Sequence, residues 1–143
     1  MIPRAGLILM LSFPATAFAG NCAGLGTLAQ SAAGGFADGK PDESFNEVES
    51  CDLLQNSDGT QTYLCTWQFA YRAPGAAAVF DMLDRLIPVC IRGAQALPAD
   101  DSVNHPDSYD LRRYRRGDVV ISTSLKDKAA LEQTLVTLRI DSK

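Results

Sequence analysis

Four cysteines, Cys22, Cys51, Cys65 and Cys90, constrain this chain more than any other feature. No two of them have C-x-x-C spacing, so zinc and thioredoxin-like redox sites are poor readings. An even number of thiols in a short chain reads instead as two structural disulfides, provided the compartment is oxidising.

The amino terminus speaks to the compartment. Met1 to Arg4 is a short positive start, Ala5 to Phe13 is an apolar run, and Pro14 breaks it. Ala17-Phe18-Ala19 then puts small residues where a signal peptidase reads. The run is too short to span a bilayer. Residues 1–19 are thus expected to be a cleaved secretory signal and residues 20–143 a single domain, periplasmic or secreted, with no transmembrane span. A lipid anchor on Cys22 is the lesser reading, because Asn21 stands where a small residue is needed.

Loss of Arg4 with the signal takes the formal charge of −4 to −5. Seven acids and one base lie between Gly20 and Asp58, whereas eight bases and five acids lie between Tyr109 and Lys143. Such a chain is not a general polyanion binder, and no nucleic-acid partner is expected. A local basic patch can still meet an acidic partner.

Cys22, Leu25, Ala29, Ala32 and Phe36 form one helical stripe. Phe45–Leu54 and Gln61–Tyr71 read as a hairpin around Asn56-Ser57-Asp58-Gly59. The second strand alternates: Tyr63, Cys65, Trp67, Phe69 and Tyr71 share the core face. In the first, Glu47 and Glu49 would share the face of Cys51, a costly burial. Ala76–Ile91 reads as a second helix with Val79, Phe80, Leu83, Leu86, Ile87 and Cys90 inward and Pro88 in its last turn. Gly93–Pro106 reads as a loop. Tyr109–Arg115, Asp118–Leu125 and Leu131–Ile140 read as strands, although Ala129–Gln133 also suits a helix start. The expected fold is α+β: an antiparallel sheet of about five strands with two helices on one face, in the order α-β-β-α-β-β-β.

Matched lengths favour the pairing Cys22–Cys51 with Cys65–Cys90. Each helix and its adjacent strand cover roughly 20 Å from their common end to the cysteine. The rival pairing joins Cys51 to Cys65 across the hairpin and Cys22 to Cys90.

Candidate sites are few. His105 is the one histidine, and no GxSxG-type nucleophile motif accompanies it. Asp100, Asp101, Asp107 and Asp110 are carboxylates close in sequence, which a small cell-envelope hydrolase could use for acid–base work. No catalytic residue, metal site or cofactor is assigned. The unusual run is Arg112-Arg113-Tyr114-Arg115-Arg116. On a strand it divides, with Arg113 and Arg115 on one face and Arg112, Tyr114 and Arg116 on the other. Arginine suits bidentate contact with phosphate or carboxylate. The four arginines are therefore the candidate binding residues, with an acidic protein, a lipid headgroup or an envelope polymer as partner. The competing reading pairs them with acids of the first third of the same chain. Together these readings make the chain a disulfide-stabilised binding module, with the hydrolase or a structural envelope protein as alternatives.

Overall fold

A computed structural model describes residues 16–99 and 108–142 of the chain. The chain runs α1 (Thr16–Ala33), β1 (Ser50–Gln55), β2 (Gln61–Ala70), α2 (Pro74–Cys90), β3 (Gln95–Ala96), β4 (Tyr109–Arg116), β5 (Val119–Lys128) and β6 (Gln133–Asp141). The strands form one antiparallel sheet in the order β1-β2-β6-β5-β4-β3. Both helices pack on the same face. The α+β expectation holds, with six strands in place of five. The extra strand is β3, two residues inside the expected Gly93–Pro106 loop, paired with Arg115 and Tyr114.

The alternation in β2 sets the covered face. Tyr63, Cys65 and Trp67 are buried there, and the register carries that face to Val136, Leu138 and Ile140 of β6 and to Ile121 and Thr123 of β5. Leu25, Leu28, Ala29 and Ala32 of α1 and Ala76, Phe80, Leu83 and Ile87 of α2 close the layer. Gly35 takes a φ of +68° after α1 and turns the chain so that Phe36 packs inward. α1 begins at Thr16 and runs through the expected boundary between Ala19 and Gly20.

Pro88 does not end α2, which continues to Cys90. Proline has no N–H for the carbonyl four residues back, here that of Asp84. The Tyr114 hydroxyl reaches that carbonyl from β4 at 3.1 Å and the Asp84 carboxylate at 2.6 Å. The first hairpin strand is shorter than expected, and this removes the difficulty over the glutamates. Residues 45–49 form a turn-containing lead-in, with Glu47 exposed at a φ of 58° and Glu49 exposed. Phe45 folds back onto Trp67, and the indole Nε1 donates to the Asn46 carbonyl at 3.0 Å. At the other end of the sheet, Ala129–Leu131 is a 3-10 turn, so β6 starts at Gln133.

The favoured disulfide pairing is overturned. The bridges are Cys22–Cys90 and Cys51–Cys65. The matched-length argument assumed that each helix runs level with its neighbouring strand. The hairpin register decides otherwise: Asn56 N–H donates to the Thr60 carbonyl, Gln55 faces Gln61, and counting back places Cys51 opposite Cys65 with Cα atoms 4.0 Å apart. Cys22 then meets Cys90 because α1 packs against α2, with Cα atoms 4.8 Å apart. This bridge occupies the sulfur that a lipid anchor on Cys22 would need.

Candidate functional site

β4 and β5 join through Gly117-Asp118, a two-residue turn in which Gly117 supplies a φ of +58°. That turn fixes the register of β4 and so the direction of each arginine. Tyr114 faces Ile121 on the covered face, and Arg112 and Arg116 share its parity. Arg113 and Arg115 point to the other face, which no described element crosses.

The two halves of the cluster have different chemistry. Arg112 lies at the edge of the helix layer. It hydrogen-bonds the Asp110 carboxylate, sits 4.0 Å from Asp84 Oδ2, and covers the Phe80 ring at 5.8 Å. Burial, the hydrogen bond to Asp84 and the Asp84 charge push the Tyr114 phenol up to about 12, against the opposing charge of Arg112. Arg112 therefore belongs to a network that ties β4 to α2. The acids it meets are Asp84 and Asp110, not those of the first third. Arg116 lines a hollow with Ala33 and Val119 on the helix side.

The uncovered face carries Arg113 and Arg115 from β4, Ser122, Ser124 and Lys126 from β5, and Thr137 and Arg139 from β6. The register aligns Arg113, Ser122 and Arg139 in one row across three strands. Neighbouring strands are about 4.8 Å apart, so the two arginine Cα atoms stand about 10 Å apart with the serine between them. Ser122 is 7% exposed. Arg113 Nε is buried and has no hydrogen-bond partner among the described residues. Arg139 Nε donates to Asp141 at 3.0 Å, and Lys126 Nζ sits 5.9 Å from the Tyr109 ring centroid. Neither Arg113 nor Arg115 has an ion pair among the described residues.

Sequence reasoning missed a third constellation. Asp127, at the end of β5, is buried and accepts hydrogen bonds from the Ser108 hydroxyl, from Thr134 Oγ1 at 2.7 Å and from Arg72 Nε at 3.3 Å. Burial raises its carboxyl, but the Ser108 and Thr134 bonds and the Arg72 charge outweigh that and hold it below the usual aspartate range. Asp127 thus stays ionised and clamps three segments that are distant in sequence. A general acid needs a raised value, so this carboxylate does not suit that task. No sequence signal marks it, because its partners come from residues 72, 108 and 134.

Of the hydrolase carboxylates, Asp100, Asp101 and Asp107 lie outside the described residues, as does His105, and Asp110 is held by Arg112. Among the described residues no group of His, Cys, Asp or Glu could hold a metal ion, and no helix is long and apolar enough to cross a membrane. Comparison with protein-family models, with curated proteins and with solved structures finds no match, so the site is read from its own geometry.

Proposed function

We propose that this chain is a small exported binding module that engages an anionic partner through the uncovered face of its sheet. The observation that supports this reading is the pair Arg113 and Arg115: two neighbouring cations that have no ion pair among the described residues, on the sheet face that no described helix covers, in a chain whose formal charge is −4. Lys126 and Arg139 extend the same face. Arg115 is exposed and shares its face with the half-buried Arg113; an anion there relieves the repulsion between the two cations while gaining charge-assisted hydrogen bonds. The amino-terminal segment and the two disulfides support the exported setting.

Chromatography on a negatively charged resin at neutral pH tests the reading, since an acidic protein is retained there only through a local basic face. The double variant Arg113→Gln/Arg115→Gln should elute at markedly lower salt with its thermal midpoint unchanged. A control of equal net charge, Lys40→Gln/Arg85→Gln, removes exposed cations elsewhere and should elute with the parent. Equal shifts for the two variants, or no retention of the parent, would defeat the proposal.

A further inference from the structure

We infer that β1 is a docking edge that takes an extended, basic segment of a partner protein as an added antiparallel strand. The inference is independent of the arginine pair, which lies on β4, towards the far side of the sheet. Two observations carry it, one of backbone and one of charge.

The backbone comes first. β1 stands at the end of the strand order and pairs only with β2. Asn56 donates its N–H to the Thr60 carbonyl, so the pair at that position is a hydrogen-bonded one. In an antiparallel ladder such pairs alternate with non-hydrogen-bonded ones. Ser50, Asp52 and Leu54 therefore direct their backbone groups to β2. Cys51, Leu53 and Gln55 direct theirs outward, where no described residue meets them. Such a row of outward N–H and C=O groups is a template for another strand. β1 carries neither the proline nor the lysine that commonly blunts an edge, and its register with β2 is unbroken from Ser50 to Gln55. The Cys51–Cys65 bridge ties it to β2, and Asn56 Nδ2 closes the turn by donating to Thr60 and Thr62 at 3.0 and 2.9 Å. The template is thus held in its pairing conformation beforehand, which lowers the ordering cost of adding a strand.

Charge selects the occupant. Glu47, Glu49, Asp52 and Asp58 are exposed on and beside β1, and no lysine or arginine lies between Pro41 and Tyr71. Two copies joined β1 to β1 would set acid near acid, which cross-strand pairing penalises. A basic strand gains where a second copy loses. The alternation of β1 also fixes the pattern of its partner. On the face away from the helices stand Asp52 and Leu54, the latter 43% exposed. A lysine or arginine there answers the carboxylate and lays its methylenes along the leucine. On the helix side the half-buried Leu53, level with Tyr63, calls for an apolar neighbour. The partner segment therefore alternates basic and apolar residues along the length of β1.

The test uses the full disulfide-bonded protein and three synthetic peptides with capped ends, each about seven residues long, close to the usual strand length. The first alternates valine and lysine. The second has glutamate for lysine. The third keeps the lysines but carries N-methylated valines, so its charge remains and its ladder donors are gone. Binding is read at the backbone N–H resonances of Cys51, Leu53 and Gln55. The lysine peptide should shift these three and slow their exchange with solvent. The glutamate peptide should bind about five-fold more weakly or worse, the scale of an exposed ion pair, and the N-methylated peptide should not bind. Gln55→Pro removes one outward N–H and no bond to β2, a place where edge strands tolerate proline. It should lose the peptide, whereas Gln55→Ala should bind like the parent. Asp52→Asn should narrow the gap between the lysine and glutamate peptides. Equal binding of those two peptides, or of the N-methylated one, would overturn the inference without recourse to any variant. A Gln55→Pro protein that binds like the parent would do the same. Slowed exchange at the three positions in the protein alone, growing with its concentration, would give the edge to a second copy and also overturn it.

Discussion

The two faces of the one sheet are built to opposite rules. On the covered face the side chains are mostly large and apolar, and three of the polar groups are answered from within, the Tyr63 hydroxyl by the Glu43 carbonyl, the Trp67 indole by Asn46 and the Tyr114 hydroxyl by Asp84, while Thr123 Oγ1 has no partner among the described residues. On the other face the residues between the arginines are small and hydroxylic, and Arg113 Nε has no partner among the described residues. Adjacent residues of β4 show the contrast at its sharpest. Arg112 is held by Asp110 and packs on Phe80, whereas Arg113, one residue on, has neither an ion pair nor a helix above it among the described residues. On the binding reading proposed above, stability and recognition fall on opposite sides of the same backbone, and each can be perturbed without the other.

The sharpest way to break this comparison is to empty the covered face at its centre. Trp67→Ala should cost about 3–5 kcal/mol, the usual range for truncating a fully buried aromatic, measured as a shift in urea midpoint. Its neighbour Gln68→Ala, exposed on the other face, should stay within about 0.5 kcal/mol. Similar losses at both positions would mean that the second face is packed as well.

The disulfides come next in size. Cys22–Cys90 spans 68 residues and Cys51–Cys65 spans 14. Loop-closure entropy then assigns about 4 kcal/mol to the first and about 3 kcal/mol to the second. Paired replacement of each cysteine couple by alanine, followed by thermal unfolding, should give that order. The reverse order would show that the edge strand β1 depends on its bridge more than the helix layer does.

The smallest effect sharpens the account of the covered face. Tyr114→Phe should cost about 1 kcal/mol at neutral pH, the net worth of a hydrogen bond. The tyrosine also has a pH signature. Its folded value of about 12 lies above the unfolded value near 10. The stability it contributes is therefore fully present below pH 10 and is lost as pH rises towards 12. Urea midpoints collected across this window should fall less steeply in Tyr114→Phe than in the parent.

The features legible in the sequence were those that depend on neighbours along the chain. Period-2 alternation from Tyr63 to Phe69 marked the covered face, and the same parity divided Arg113 and Arg115 from Arg112 and Arg116. The features that stayed hidden depend on register or on long-range contact. The pairing of Cys51 with Cys65 follows from how many residues the Asn56–Thr60 turn consumes, and a slip of one residue would turn the two cysteines to opposite faces. β3 is two residues long and has no alternation to read. The Asp127 clamp and the Asp84–Arg112–Tyr114 network draw on residues separated by 7 to 62 positions, and no local pattern announces such meetings. Pro88 was visible as a helix breaker, but the hydroxyl that satisfies the carbonyl it leaves was not.

The nesting of the two bridges bears on how the chain is made. The outer pair, Cys22 and Cys90, encloses the inner pair, Cys51 and Cys65. A chain that enters an oxidising compartment amino terminus first presents Cys22 and Cys51 before either has met its proper partner. Oxidation in order of arrival therefore joins Cys22 to Cys51, a bond absent from the finished fold. For a chain exported in that way, native pairing is reached by thiol–disulfide exchange, with the thiolate of Cys65 displacing Cys22 from Cys51, after which a second oxidation joins Cys22 to Cys90. In the absence of an isomerase, the yield of native protein should be set by how fast the hairpin closes relative to the supply of oxidant.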